Sequence, residues 1–285
     1  MAQRQQQQDA SAAYVRDLVS SGDQDRYWSA LLAPEPSRRH LLALYAFNIE
    51  LARIPEQVRE PQLGEIRLQW WREALIAVLA GETADHPVLI ELAPAVLEHA
   101  LPQDALQGMI DARSFDIHDE LMPDLAALES YLAATAGAVF GLGARILGAN
   151  GADQAGTEAA AAYGLTGLMR ALPLHASRGK LFLPRDLLAR HGLHPDTVLR
   201  GEGDEDLRAA LAEMRRCASE ALTRFRQAVT SLPRQALPAF LPLALVEPYL
   251  KKLASPMHHP ARDIARLNPL VRYALIWRAF LRGRI

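Results

Sequence analysis

At 285 residues and 31.4 kDa, the chain is long enough for one large domain with a substantial core or for two small ones. Half of its residues are hydrophobic and 22% are charged, which excludes wholesale disorder. Its 31 basic and 33 acidic side chains leave a net charge of −2, with no electrostatic footprint for nucleic acid. The single cysteine, Cys217, excludes an intrachain disulfide framework and a thiolate metal cluster.

In chain order, the N-terminus MAQRQQQQDASAAYVRDLV is polar and lacks an apolar core, so it does not read as a secretory signal. Residues 1–9 are expected to be a disordered tail and 10–285 a single domain, without linker or repeat. The 49 alanines and 46 leucines favour helix over sheet. Helices are predicted near 10–21, 25–33, 37–53, 61–80, 87–100, 103–120, 124–147, 154–172, 204–231, 235–253 and 268–282. Pro36, Pro61, Pro87, Pro102, Pro184 and Pro195 open helix-like runs, and Gly81, Gly148 and Gly192 close them. In 61–80 the residues Leu63, Ile66, Leu68, Trp70, Trp71, Leu75, Ile76 and Leu79 form a broad apolar face, with Trp70 and Trp71 expected in helix packing. Gly137 and Gly141, four apart, are expected to let another helix come close. The longest uncharged stretch, 131–144, has 14 residues, short of the roughly 18–20 that span a bilayer. The expectation is an all-α, soluble, cytoplasmic protein.

Three segments carry a resemblance. They are RYWSALLAPEPSRRHLLALYAFN (26–48) with GEIRLQWWREAL (64–75), DARSFDIHDE (111–120) running into LESYLAATAGAVFGLGARILG (128–148), and YGLTGLMRALPLHASRGKLFLPRDLLARHG (163–192). In order and spacing the chain resembles the squalene/phytoene synthase family of head-to-head prenyl transferases over roughly 25–280. The resemblance implies a single all-α prenyl (isoprenoid) synthase-like domain with a central cavity. In active members, it further implies two facing aspartate-rich motifs whose carboxylates, at i and i+4 on one helix face, hold Mg²⁺ against the substrate's diphosphate.

The chain departs from that pattern on both walls. Aligned to the family, the first acidic positions fall on Ala52, Arg53 and Glu56, and the second on Ala171, Leu174 and His175, so five of the six carboxylates are absent. Pro55 and Pro173 enter the same segments, where an interior proline costs about 3 kcal/mol and should kink or end the helix. Glu50 and Glu56 are six residues apart, about 600° around a helix, and point apart. Asp111, Asp116, Asp119 and Glu120 fall in a segment the family places on the cavity wall, and Asp116 matches a commonly acidic position. The departures resemble the subgroup lacking the aspartate motifs, which includes a mitochondrial assembly factor of respiratory complex I. That likeness rests on Arg170, Pro173, His175, Ser177, Arg178 and Lys180 in register.

The favoured expectation is therefore a catalytically degenerate family member with a binding or assembly role. No cofactor is expected. An isoprenoid or lipid ligand, a respiratory-chain assembly partner and peripheral membrane contact are the partners implied. The alternative is an active transferase that condenses two prenyl diphosphates to squalene or phytoene with Mg²⁺. Candidate cavity or anion-binding residues are Asn48, Asp116, Arg170, Arg178 and Lys180, with Arg suited to phosphate through its planar fork. Glu50 and Arg53 are expected beside Asn48 on the cavity wall, and His175 as a hydrogen-bonded wall histidine. The pair His258–His259 lies in a proline-bounded loop and is not expected to hold zinc.

Overall fold

The computed structural model describes the backbone of residues 2–83, 85–118 and 120–285, with side chains from residue 6 onward. It contains sixteen α-helices and no strand among the described residues. They are α1 (Ala2–Gly22), α2 (Gln24–Leu31), α3 (Ser37–Gln57), α4 (Pro61–Leu79), α5 (Pro87–Glu98), α6 (Gln103–Ala112), α7 (Ser114–Ile117) and α8 (Leu125–Leu132). After a π-turn at Ala133–Gly137 follow α9 (Ala138–Ile146), α10 (Asp153–Ala176), α11 (Arg185–Arg190), α12 (Pro195–Leu199) and α13 (Asp204–Ala228). The chain ends with α14 (Leu237–Phe240), α15 (Val246–Leu253) and α16 (Pro269–Arg282).

Helix punctuation follows the sequence. Pro61, Pro87 and Pro195 stand in the first turn of α4, α5 and α12, where the missing N–H has no helical partner to lose. Gly81, Gly148 and Gly192 take φ of 95°, 82° and 64° beyond α4, α9 and α11, a conformation that side chains disfavour.

Four expectations are corrected. α1 runs through the segment read as a tail, with Gln6 to Asp9 exposed. The run 103–120 breaks at Arg113 into α6 and α7 and is not helical beyond Ile117, so Glu120 lies outside it; Asp119 falls outside the described residues. The run 235–253 is a chain of 3₁₀ and α pieces, because Pro238, Pro242 and Pro248 deny it continuous hydrogen bonding. Both α3 and α10 run past their predicted ends at 53 and 172 and through their prolines, and each then ends within a turn, at Gln57 and Ala176, the termination expected of an interior ring.

α3 and α10 form the centre. α3 packs on α1, α5 and α9, and α10 lies along α13 and the α8–α9 segment. The main core buries Tyr45, Phe47, Phe140, Phe225 and Phe240, each worth roughly 1.5–3 kcal/mol of transfer free energy. A second core joins α10 to α11 and α13 through Leu165, Met169, Leu188, Leu211 and Met214. The close approach depends on Gly137 and on Gly156 of α10: a Cβ on Gly156 would lie 3.2 Å from the Gly137 carbonyl oxygen and 3.3 Å from the Gly141 nitrogen, whereas a Cβ on Gly141 would meet nothing within 4 Å. The helix Leu125–Ile146, 22 residues with mean hydropathy 1.4, is long and apolar enough by composition to cross a membrane. The uncharged-stretch count missed this because Glu129 and Arg145 interrupt it; in this fold Leu128, Leu132, Phe140 and Ile146 are core residues.

Candidate functional site

An ion pair crosses between the end of α3 and the residues just after α10, the two segments that carry the aligned positions. Glu56, the one carboxylate retained, is exposed on the last turn of α3 and forms an ion pair with Arg178, just beyond α10. This pair links one motif wall directly to the other. Lys180 donates to the His118 carbonyl at 2.6 Å, closing the same rim. His118 and Ser114 both reach Glu65 of α4, at 3.0 and 2.5 Å.

Behind the rim lies a buried polar cluster. Asp116, on α7, is 7% exposed; its carboxylate accepts from Arg113 at 2.9 Å and from the Tyr131 hydroxyl at 2.7 Å. Arg113 also donates to Tyr131 at 3.0 Å and to the Asn48 amide oxygen of α3 at 3.2 Å. Burial alone would lower the Arg113 guanidinium, but the Tyr131 phenol and Asp116 carboxylate outweigh it and hold it above its ordinary range. Burial, aided by the same carboxylate, pushes the Tyr131 phenol far up. Arg113 and Tyr131 escaped the sequence reading. The signal for Arg113 was its place three residues before Asp116, one turn away on the same face; Tyr131 sits in an apolar run and gave none.

Phe115, Tyr131 and Phe182 meet ring to ring with centroids 5.8–6.0 Å apart, and the His175 ring stands edge-on 4.8 Å from Phe182. His175 is thus packed on an aromatic ring, where the expectation was a hydrogen bond. Burial lowers its imidazole below the usual value, with Asp116 opposing and Arg178 adding to the shift.

Other candidates scatter. Arg170 points away from Arg178 and Lys180: its guanidinium lies 3.5 Å from the Tyr249 ring centroid and donates to the Ala265 carbonyl at 3.3 Å. Glu50 accepts from the Tyr14 hydroxyl at 2.8 Å, on the α1 side of α3, and Arg53 lies near Gly22 on that side too. Of the polar trio on α3, only Asn48 joins the cluster. Leu174 is exposed, while Ala52 and Ala171 are partly buried and carry no donor atom. Asp111 pairs with Arg72 at the surface. Trp71 is buried, but Trp70 is 47% exposed beside Leu63 and Ile66, so half of the apolar face of α4 is uncovered. His259 holds Asp204 at 3.0 Å.

The donor set does not fit the Mg²⁺ ions that the fold family uses. Hard cations need several carboxylate oxygens from both walls. Here the Glu56 carboxylate is held by Arg178, Asp116 by Arg113 and Tyr131, and the remaining aligned positions offer methyl groups, an isobutyl group, a guanidinium and an imidazole.

A family model for squalene/phytoene synthase matches residues 19–271. The chain belongs to the squalene/phytoene synthase family. Within and around that family it is 33% identical to NADH dehydrogenase (ubiquinone) complex I, assembly factor 6 of Mus musculus, over 94% of this chain and 82% of the relative. Against the Homo sapiens protein of the same name the identity is 32%, over 93% and 81%. A dehydrosqualene synthase crystallised with a ligand superposes with a TM-score of 0.81 at 15% identity, covering 98% of this chain and 99% of that one. The synthase-family fold is therefore kept nearly end to end.

Proposed function

We propose that this protein is a catalytically silent synthase-family member that assists the assembly of a respiratory NADH dehydrogenase as a peripheral membrane protein. The observation that carries the proposal is the replacement of the bridging carboxylates by a direct Glu56–Arg178 link, backed by a self-satisfied Arg113–Asp116–Tyr131 cluster. Similarity to complex I assembly factor 6 along almost the whole chain supports the assembly half.

The face of α16 supports the membrane half. Leu270, Tyr273, Trp277 and Leu281 recur at helical spacing and are exposed, flanked by exposed Arg278, Arg282 and Arg284. Aromatic and aliphatic groups beside arginines suit the interface of an anionic bilayer, where each basic residue contributes about 1 kcal/mol. On this reading the lipid partner is the membrane surface, since rings from facing walls touch between the motif positions. The protein then works from the cytoplasmic side.

Purified protein supplied with farnesyl or geranylgeranyl diphosphate and Mg²⁺ or Mn²⁺ is expected to release no diphosphate above a heat-treated control. Metal-dependent release with a C30 or C40 product overturns the silent half. Deleting the gene should lower assembled NADH:ubiquinone oxidoreductase in the host's membranes; unchanged levels overturn the assembly half. Trp277→Ser with Leu281→Ser should reduce co-sedimentation with anionic vesicles severalfold, and equal binding removes the membrane half.

A further inference from the structure

We infer a binding site for one divalent transition-metal ion, of the zinc class, between the start of α3 and the end of α5. It lies apart from the synthase-type motifs. Its ligands are the imidazoles of His40 and His99 and the carboxylate of Glu98.

The geometry comes first. His40 Nδ1 stands 2.8 Å from His99 Nε2, and Glu98 Oε1 is 4.0 Å from that same His99 nitrogen. One ligand atom from each residue can be chosen so that all three lie within 4.8 Å of one another. Tetrahedral zinc with bonds of roughly 2.0–2.2 Å sets its ligand atoms about 3.3 Å apart. The two nitrogens must open by a few tenths of an ångström and Glu98, half exposed, must swing in.

The backbone holds the ligands. His40 sits in the first turn of α3 beside Arg39, which grips Glu91 of α5 through two hydrogen bonds of 2.5 and 2.8 Å. This ties the two helices together next to the site. The His99 carbonyl accepts from Arg145 of α9 at 3.1 Å. Beyond it Ala100 adopts φ 46°, a left-handed conformation that a residue with a Cβ holds only at some cost, and it fixes where the α5 terminus delivers Glu98 and His99.

The chemistry agrees. Glu98 is the last residue of α5, where the helix dipole disfavours a carboxylate, and a bound cation would relieve that. Two imidazoles and one carboxylate on a partly open rim leave a fourth position for water. Imidazole donors select zinc and its neighbours over Mg²⁺ or Ca²⁺.

The test is a titration of the full chain, stripped with a chelator, with Zn²⁺ against a chromophoric competitor. One equivalent should bind, and His99→Asn and Glu98→Gln should each weaken it at least tenfold. Both residues lie at the rim, so these variants should fold with circular-dichroism spectra like the parent's. Zinc should raise the melting temperature of the parent and not of His99→Asn, and X-ray absorption should report two imidazoles on the metal. No saturable equivalent, or an affinity unchanged in His99→Asn, overturns the inference; the latter result assigns the ion to other histidines such as His258 and His259.

Discussion

Two of the polar clusters buried among the described residues are built differently. Around Arg113, a carboxylate, a phenol and an amide oxygen converge at 2.9–3.2 Å, and Tyr131 donates to Asp116 at 2.7 Å, so every partner answers another. Beneath α16, Asp25 takes two hydrogen bonds from Arg272 at 2.9 and 2.7 Å, yet burial outweighs that arginine and pushes the Asp25 carboxyl up. Beside it Arg26 pairs with Asp23 at 2.6 Å within an aromatic box of Tyr45, Phe140 and Tyr163, while its Nε and the Tyr45 hydroxyl are buried without a protein partner. The first cluster is closed upon itself; the second keeps unspent hydrogen-bonding capacity. Burying charge is tolerable when the geometry is complete, and completeness is what distinguishes the Arg113 cluster.

Mutations can break that contrast. Arg113→Met strands Asp116 in the interior and should cost about 3–5 kcal/mol in urea unfolding, whereas Arg113→Met with Asp116→Leu should recover most of the loss. A double variant no better than the single would show that the cluster is not a self-contained pair. Asp25→Asn removes a carboxylate already held at a disadvantage, so about 1–3 kcal/mol is expected. A loss matching that of Arg113→Met would erase the distinction.

Acid should act next. Burial, first of all, lowers His40, His86, His175 and His258 below their usual 6.5. Unfolding returns each ring to that value, so the unfolded chain binds more protons. Their stability is whole above pH 6.5 and is lost as pH falls through the folded-state values. Urea midpoints should therefore drop as pH falls below about 6.5, and His175→Gln should flatten part of that slope. The smallest effect belongs to the rim: both Glu56 and Arg178 are about half exposed, and Glu56→Gln should shift stability by about 1 kcal/mol or less. A larger shift would make the rim link a structural clamp.

The fold was readable because Ala, Leu, proline and glycine mark helices locally. The cluster itself was only half readable. Asn48 and Asp116 were named, but Arg113 sits at a helix break that propensity does not encode, and Tyr131 is polar only at its tip. Arg170 misled for the opposite reason: the same helix carries it and His175, yet five residues turn it about 500° round to a different neighbourhood, over Tyr249. The exposure of Trp70 was equally hidden, since an apolar stripe records which side avoids water and not how far the neighbouring helices extend.

The π-turn at Ala133–Gly137 changes the phase of the long helix that contains it. Upstream, the helix delivers Tyr131 to Asp116; downstream, it presents Gly137 and Gly141 to α10 and Phe140 to the core. The wide turn decouples these two tasks, as a gear offset lets two shafts be timed separately. Removing one residue there would rotate the halves against each other by about 100°, so the polar wall and the glycine seam could no longer both mesh. One irregular turn thus lets a single helix serve the polar cluster upstream and the packing seam downstream.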